Sequence, residues 1–303
     1  MLLQRDALLQ RTRLLGPAFV AAVAYVDPGN VATNTQAGAA FGYLLLWVLV
    51  GATLMAGLVQ YLSAKVGWLT GETLPALVAR RNSRVPRICY WIQAELVAVA
   101  TDLAEIVGGA VALNLLFGLP LVPGALITTA VSTGLLFLQN SRRQSTFERV
   151  ITGMLAIVTI GFLAGLIASP PDAGQALAGL VPRLDGTESA VLAVGMLGAT
   201  VMPHVIYLHS ALIRDRHGQA DPDCAEPMLR TIRLDVGLAM LVAGTVNVGM
   251  LLLAASTLSG LNVDGLQAAH SAIAANLGPL IAGLFALALL ASGLASTSVG
   301  GYA

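Results

Sequence analysis

Eight stretches of this chain are each long and apolar enough to cross a bilayer, and no other feature limits the fold so strongly. They are Leu14–Ala40, Tyr43–Val66, Ile88–Phe117, Leu121–Leu138, Val150–Ile167, Ala190–Ile213, Val236–Thr257 and Leu280 to the end. A spanning helix needs about 20 mostly apolar residues, whereas barrel strands are about 10 residues long and alternate in polarity. The runs therefore predict an all-α polytopic membrane protein, with residues 1–303 forming one transmembrane domain of about eight helices. Composition agrees: 56% of the 303 residues are hydrophobic, 11% are charged and mean hydropathy is +0.80. Soluble domains run near 25% charged, and a single soluble core stops growing at roughly this chain length. A disordered chain and a disulfide scaffold are excluded. Sixteen basic and sixteen acidic residues cancel, so there is no electrostatic footprint for a nucleic acid.

Basic residues fix the expected orientation. With the N-terminus inside and each span crossing once, the inner segments hold Arg5, Arg11, Arg13, Lys65, Arg80, Arg81, Arg84, Arg87, Arg142, Arg143, Arg149, Arg214, Arg216, Arg230 and Arg233, and only Arg183 lies outside. Positively charged loops face the cytoplasm, which predicts a multi-pass protein of the cell membrane with a cytoplasmic N-terminus. Cys89 and Cys224 fall on that inner, reducing side in no metal-ligand spacing, so no disulfide is expected. The first apolar run is followed by an aspartate and Pro-Gly rather than a small-residue cleavage site, which argues against a signal peptide. The last run ends on Gly300-Gly301-Tyr302-Ala303 without a charged anchor, the pattern of a short tail or of a truncated product.

Two spans are interrupted at mid-depth. The first contains Asp27-Pro28-Gly29-Asn30 and the sixth Ala199-Thr200-Val201-Met202-Pro203-His204. Proline removes a backbone donor, and an aspartate at membrane depth is costly. Such a stretch is tolerated where it unwinds to line a polar cavity, with half-helix ends and freed carbonyls facing it. A simple proline kink is the plainer reading of the sixth span. Under the expected topology the two broken spans enter from opposite sides, the layout of two inverted five-helix repeats with a binding site where the breaks meet. The first repeat would cover 14–169 and an incomplete second one 188–303. Asp27 offers a charged oxygen, Asn30 a neutral one, Ala199 a freed carbonyl and Met202 a thioether. Sulfur adds little for Ca²⁺ or Mg²⁺ but favours transition metals.

Asp27-Pro28-Gly29-Asn30, followed by Met202-Pro203-His204 with His209 beyond, resembles the Nramp family of proton-coupled divalent metal transporters, the bacterial manganese members above all. Leu15-Gly16-Pro17-Ala18-Phe19, Ala100-Thr101-Asp102-Leu103-Ala104-Glu105 and Ala291-Ser292-Gly293-Leu294 extend the resemblance across the chain. It implies a LeuT-like inverted-repeat fold and import of Mn²⁺ or Fe²⁺ with H⁺, without a cofactor or obligatory protein partner. It also implies metal ligands at Asp27, Asn30, the Ala199 carbonyl and Met202, polar support from Gln60 and Asn247, and proton movement through Glu105, Asp102 and His204. Family members carry about a hundred further residues, including a glutamine ligand on a tenth span and basic residues on a ninth. Their absence from this sequence sets the expectation that the chain alone lacks stable transport.

Glu95, Asp102 and Glu105 share one face of the third span: at about 100° per residue, Asp102 lies about 20° from Glu95 and Glu105 about 60° further round. Carboxylates at that depth face an interior or a wet cavity, which suits proton carriage by Asp102 and Glu105; Glu95 lies nearer the arginines at 80–87 and could pair with them. His204 can titrate in the useful range. His217 and His270 receive no role, and Asp221, Asp223 and Glu226 read as a solvated run. Three other functions compete: a cation-coupled carrier of an organic substrate with the same architecture, a membrane enzyme, and a non-functional remnant. An acidic Asp27 argues against binding a substrate carboxylate. No nucleophile–base pair, metal-activated water or His-Glu-x-x-His supports an enzyme.

Overall fold

The computed structural model describes residues 16–137, 144–218, 225–261 and 263–302. Arg5, Arg11, Arg13, Arg142, Arg143, Asp221, Asp223 and Cys224 lie outside the described residues. Thirteen helices occur among those described: α1 Pro17–Ala24, α2 Pro28–Phe41, α3 Leu46–Thr70, α4 Leu74–Arg81, α5 Arg84–Phe117, α6 Leu121–Leu136, α7 Gln144–Ala168, α8 Ala173–Ala178, α9 Gly186–Thr200, α10 Pro203–His217, α11 Ala225–Thr257, α12 Leu266–Leu277 and α13 Pro279–Gly300. Among the described residues six helical segments are long and apolar enough to cross a membrane, the fourth of them being α9 and α10 taken together; α6 is a shorter apolar helix. The first expected span is divided between α1 and α2.

Both interruptions are tighter than the sequence suggests. Only residues 25–27 leave the helix in the first, because Pro28 takes the first helical position of α2 and Asp27 caps it by accepting from the Asn30 backbone N–H at 2.8 Å. Proline's fixed φ suits that position, where its missing N–H would be unpaired anyway. Val201 and Met202 alone are non-helical in the second, and Pro203 starts α10. Several spans also outrun their apolar cores. α11 begins at Ala225 rather than Val236, and α5 at Arg84 rather than Ile88, since a helix continues past the hydrocarbon layer for as long as its ends can be solvated. The short helices α4, α8 and α12 lie between spans and, at six to twelve residues, are too short to stand out in the sequence as crossings.

α13 runs along α5 and α7, and α11 packs against α2 and α3. Small residues permit close approach at the centre. A side chain at Gly108 would collide with Pro28, and one at Gly293 would fall 2.9 Å from the Gly109 nitrogen. At one end of the bundle Asp235 accepts from the N–H groups of Gly16 and Ala18, each at 3.1 Å, so α11 caps the start of α1. The Arg216–Glu148 ion pair lies against the same glycine. At the opposite end the Trp47 indole donates to the Arg183 carbonyl at 3.1 Å.

Candidate functional site

The chemistry of the site follows from hydrogen bonds that two prolines cannot make. Pro203 has no N–H to close a helical bond on the Ala199 carbonyl, and that carbonyl accepts instead from Asn30 Nδ2 at 2.9 Å. Asn30 Nδ2 also donates to Asp27 Oδ1 at 2.7 Å. Asp27, Asn30 and the Ala199 carbonyl therefore meet, although 169 residues separate the last two. Met202, the residue before Pro203, is buried beside them in sequence as the N-cap of α10. Asp27, Asn30 and Met202 are all closed to solvent.

The carbonyls of the first break have other partners. Because the Asn30 backbone N–H bonds to Asp27, the Val26 carbonyl loses its helical donor, and the Ser292 hydroxyl donates to it at 2.5 Å. The Tyr25 carbonyl accepts from Asn247 Nδ2 at 2.7 Å, and Asn247 Oδ1 accepts from Asn34 Nδ2 at 3.0 Å. Asn247 on α11 and Ser292 on α13 thus hold the unwound backbone in place. Gln60 is buried on α3, and no described residue hydrogen-bonds its Oε1. Thr200, which the sequence did not single out, lies with Oγ1 3.0 Å from Asn30 Oδ1. Its only sequence signal was its place inside the second break.

The three acidic residues of α5 share a face but differ in surroundings. Glu105 is fully buried, within Coulombic reach of Asp27 and Asp102 and beside Ser296. Gly300 lies against both Asp102 and Glu105, and a side chain there would collide with the Asp102 carboxylate. Asp102 and His204 line one cavity of about 650 Å³ together with Tyr90, Trp91 and Tyr207. Glu95 is exposed and accepts from the Trp91 indole at 2.9 Å rather than from the arginines at 80–87, because Trp91, one helical turn away, is within reach of a short hydrogen bond. Burial leaves His204 with no hydrogen-bonding partner among the described residues at either ring nitrogen, and His209 is buried against the Gln60 backbone. Glu226 pairs with Arg230 on the surface, and Cys89 is an exposed free thiol.

No three His, Cys, Asp or Glu side chains converge among the described residues. A cation at the breaks would therefore take a mixed set of one carboxylate, one amide oxygen, a backbone carbonyl and a thioether. Oxygen donors suit Mn²⁺, and the thioether tilts the set away from Ca²⁺ and Mg²⁺.

A model of the natural resistance-associated macrophage protein-like family matches residues 18–303. The chain is 55% identical over 301 residues to a protein of Mycobacterium tuberculosis named divalent metal cation transporter MntH, covering 99% of this chain and 70% of that relative. A Bacillus subtilis protein of the same name is 46% identical, with 94% and 68% covered. A crystal structure of the Eremococcus coleocola manganese transporter, in complex with an aromatic bis-isothiourea substituted compound, superposes with a TM-score of 0.79 at 30% identity. That match covers 95% of this chain and 64% of the other, so the chain spans less than two thirds of that transporter's length.

Proposed function

The chain belongs to the natural resistance-associated macrophage protein-like family, and from that premise we propose that it imports Mn²⁺ or Fe²⁺ in symport with protons across the cell membrane. Its relatives are named as transporters rather than enzymes. The observation that carries the reading is the meeting of Asp27, Asn30 and the Ala199 carbonyl where two broken spans face each other. In this reading those three groups and Met202 hold the cargo, and Gln60 and Asn247 support them. Asp27 binds a cation only as the carboxylate, so a proton and the metal compete for it. Glu105, Asp102 and His204 take up and pass on the proton from the buried face of α5 and the adjoining cavity.

The N-terminus lies in the cytoplasm, as the positive-inside pattern supports. Residues 14–169 make the first inverted repeat and 188–303 belong to the second. Moving one repeat against the other around the breaks opens the site alternately to each side. The test is uptake into proteoliposomes with an inward proton gradient. Saturable Mn²⁺ or Fe²⁺ entry, coupled to internal acidification and far exceeding Ca²⁺ entry, is expected when the chain is supplied with the further length its relatives carry, whereas the 303 residues alone are expected to lack stable transport. Metal entry indifferent to the proton gradient would remove the symport assignment, and equal entry of all divalent ions would remove the selectivity.

A further inference from the structure

Asn30 stands between two sets of partners. On one side its Nδ2 donates to Asp27 Oδ1 at 2.7 Å and to the Ala199 carbonyl at 2.9 Å. On the other its Oδ1 faces the Thr200 hydroxyl at 3.0 Å. Thr200 is buried and has a second neighbour, the Met196 carbonyl, at 2.7 Å. A hydroxyl carries one proton, so it can supply Asn30 Oδ1 or Met196 but not both.

Turning the amide by about 180° reverses this balance, and the terminal torsion of asparagine is roughly two-fold and open to such a turn. Nδ2 then donates to Thr200 Oγ1, whose own proton goes to Met196, and every group on that side is paired. On the opposite side Asn30 Oδ1, Asp27 Oδ1 and the Ala199 carbonyl now converge. Asn30 Oδ1 and the Ala199 carbonyl are then left without a donor, and Asp27 Oδ1 keeps only the Asn30 backbone N–H; such a cluster of buried acceptors is unfavourable, but it becomes a ligand set once a divalent cation lies among them. The two registers thus place positive charge at the same point, from amide hydrogens in one and from the cation in the other.

Given the reading that Asp27, Asn30 and Ala199 hold the cargo, we propose that the Asn30 amide turns as the cation is taken up and that Thr200 is the positioning residue that receives its NH₂. Thr200 suits both registers because a hydroxyl both accepts and donates. The other hydroxyl near Asn30, that of Thr33, is directed at carbonyls of its own helix, those of Gly29 and Asn30.

The test measures Cd²⁺ affinity of the full chain by calorimetry alongside infrared difference spectra of protein carrying isotope-labelled asparagine. Thr200→Ser keeps the hydroxyl and binds within about twofold of the parent chain. Thr200→Val keeps the shape, removes the acceptor and binds roughly tenfold more weakly, as loss of one net hydrogen bond implies. Saturating Cd²⁺ shifts an asparagine carbonyl band that is absent in Asn30→Ser. Equal affinity of the valine and serine forms, or an asparagine band unmoved at saturation, overturns the proposal while leaving the metal site intact. If the parent chain binds no Cd²⁺, or Asp27→Asn binds it as tightly as the parent, the reading of the site fails and the proposal fails with it.

Discussion

Asp27→Asn separates a metal ligand from a mere helix cap. Asp27 does cap α2, through the Asn30 backbone N–H at 2.8 Å, and asparagine caps a helix about as well as aspartate. The fold should therefore tolerate the change to within about 0.5 kcal/mol. Metal binding should not. The carboxylate is buried and hydrogen-bonded to the Asn30 amide, and the ionisable group within its Coulombic reach is another acid, Glu105, rather than a cation. Removing one member of a buried charge pair costs about 3–5 kcal/mol, which at about 1.4 kcal/mol per decade is roughly two to three and a half orders of magnitude in Kd. Asparagine also does not exchange a proton in the working range, so residual binding should be far less sensitive to pH. Calorimetry of Mn²⁺ binding to both forms at two pH values, with thermal unfolding as the control, reads all of this. Unchanged affinity in the asparagine form would refute the ligand role. A large loss of thermal stability would show instead that the cap argument is wrong.

Three further predictions follow from the packing and the donor set. In a protein supplied with the further length its relatives carry, Met202→Ala should weaken Cd²⁺ and Mn²⁺ binding while improving transport of Ca²⁺ or Mg²⁺ relative to them, because sulfur adds little to a hard cation; competition uptake in liposomes reads this, and an equal fall for every ion would make Met202 a packing residue. Glu105→Gln keeps size and hydrogen-bonding capacity and should leave metal affinity near normal while impairing metal-driven proton entry, and unaltered proton flux would contradict the role. Gly38→Ala should destabilise by about 1–3 kcal/mol, since its Cβ would fall 2.5 Å from the Leu251 carbonyl oxygen, whereas Gly237→Ala meets nothing within 4 Å and should be neutral or mildly stabilising; detergent melting curves that rank the pair the other way would refute the packing account.

The spans and both breaks were legible because each is a local property of the chain. About twenty apolar residues make a crossing, and a proline removes a donor wherever it stands. The meeting of Asn30 with Ala199 could be expected only through symmetry and resemblance, since their contact bridges 169 positions. The residues that hold the first break were likewise visible only through the resemblance, Asn247 as a polar support and Ser292 inside a matched motif, and their partners were not. Asn247 reaches the Tyr25 carbonyl across 222 positions and Ser292 reaches Val26 across 266, and neither side chain type is unusual in a membrane helix. Thr200 was inside a recognised motif yet unremarked, because its significance depends on the geometry of Asn30 and Met196. Helical spacing placed Glu95 with Asp102 and Glu105 on one face, but which part of that face is covered depends on neighbouring helices. The structure leaves Glu95 exposed and buries Glu105.

The central claim is that one divalent cation sits where the two broken spans face each other. An anomalous difference map from crystals of the chain grown with Mn²⁺ tests it most directly. A single strong peak within ligand distance of the Asp27 carboxylate, the Asn30 amide oxygen, the Ala199 carbonyl and the Met202 sulfur is the predicted result. A peak elsewhere in the molecule, with those four groups still bonded only to one another, would contradict it.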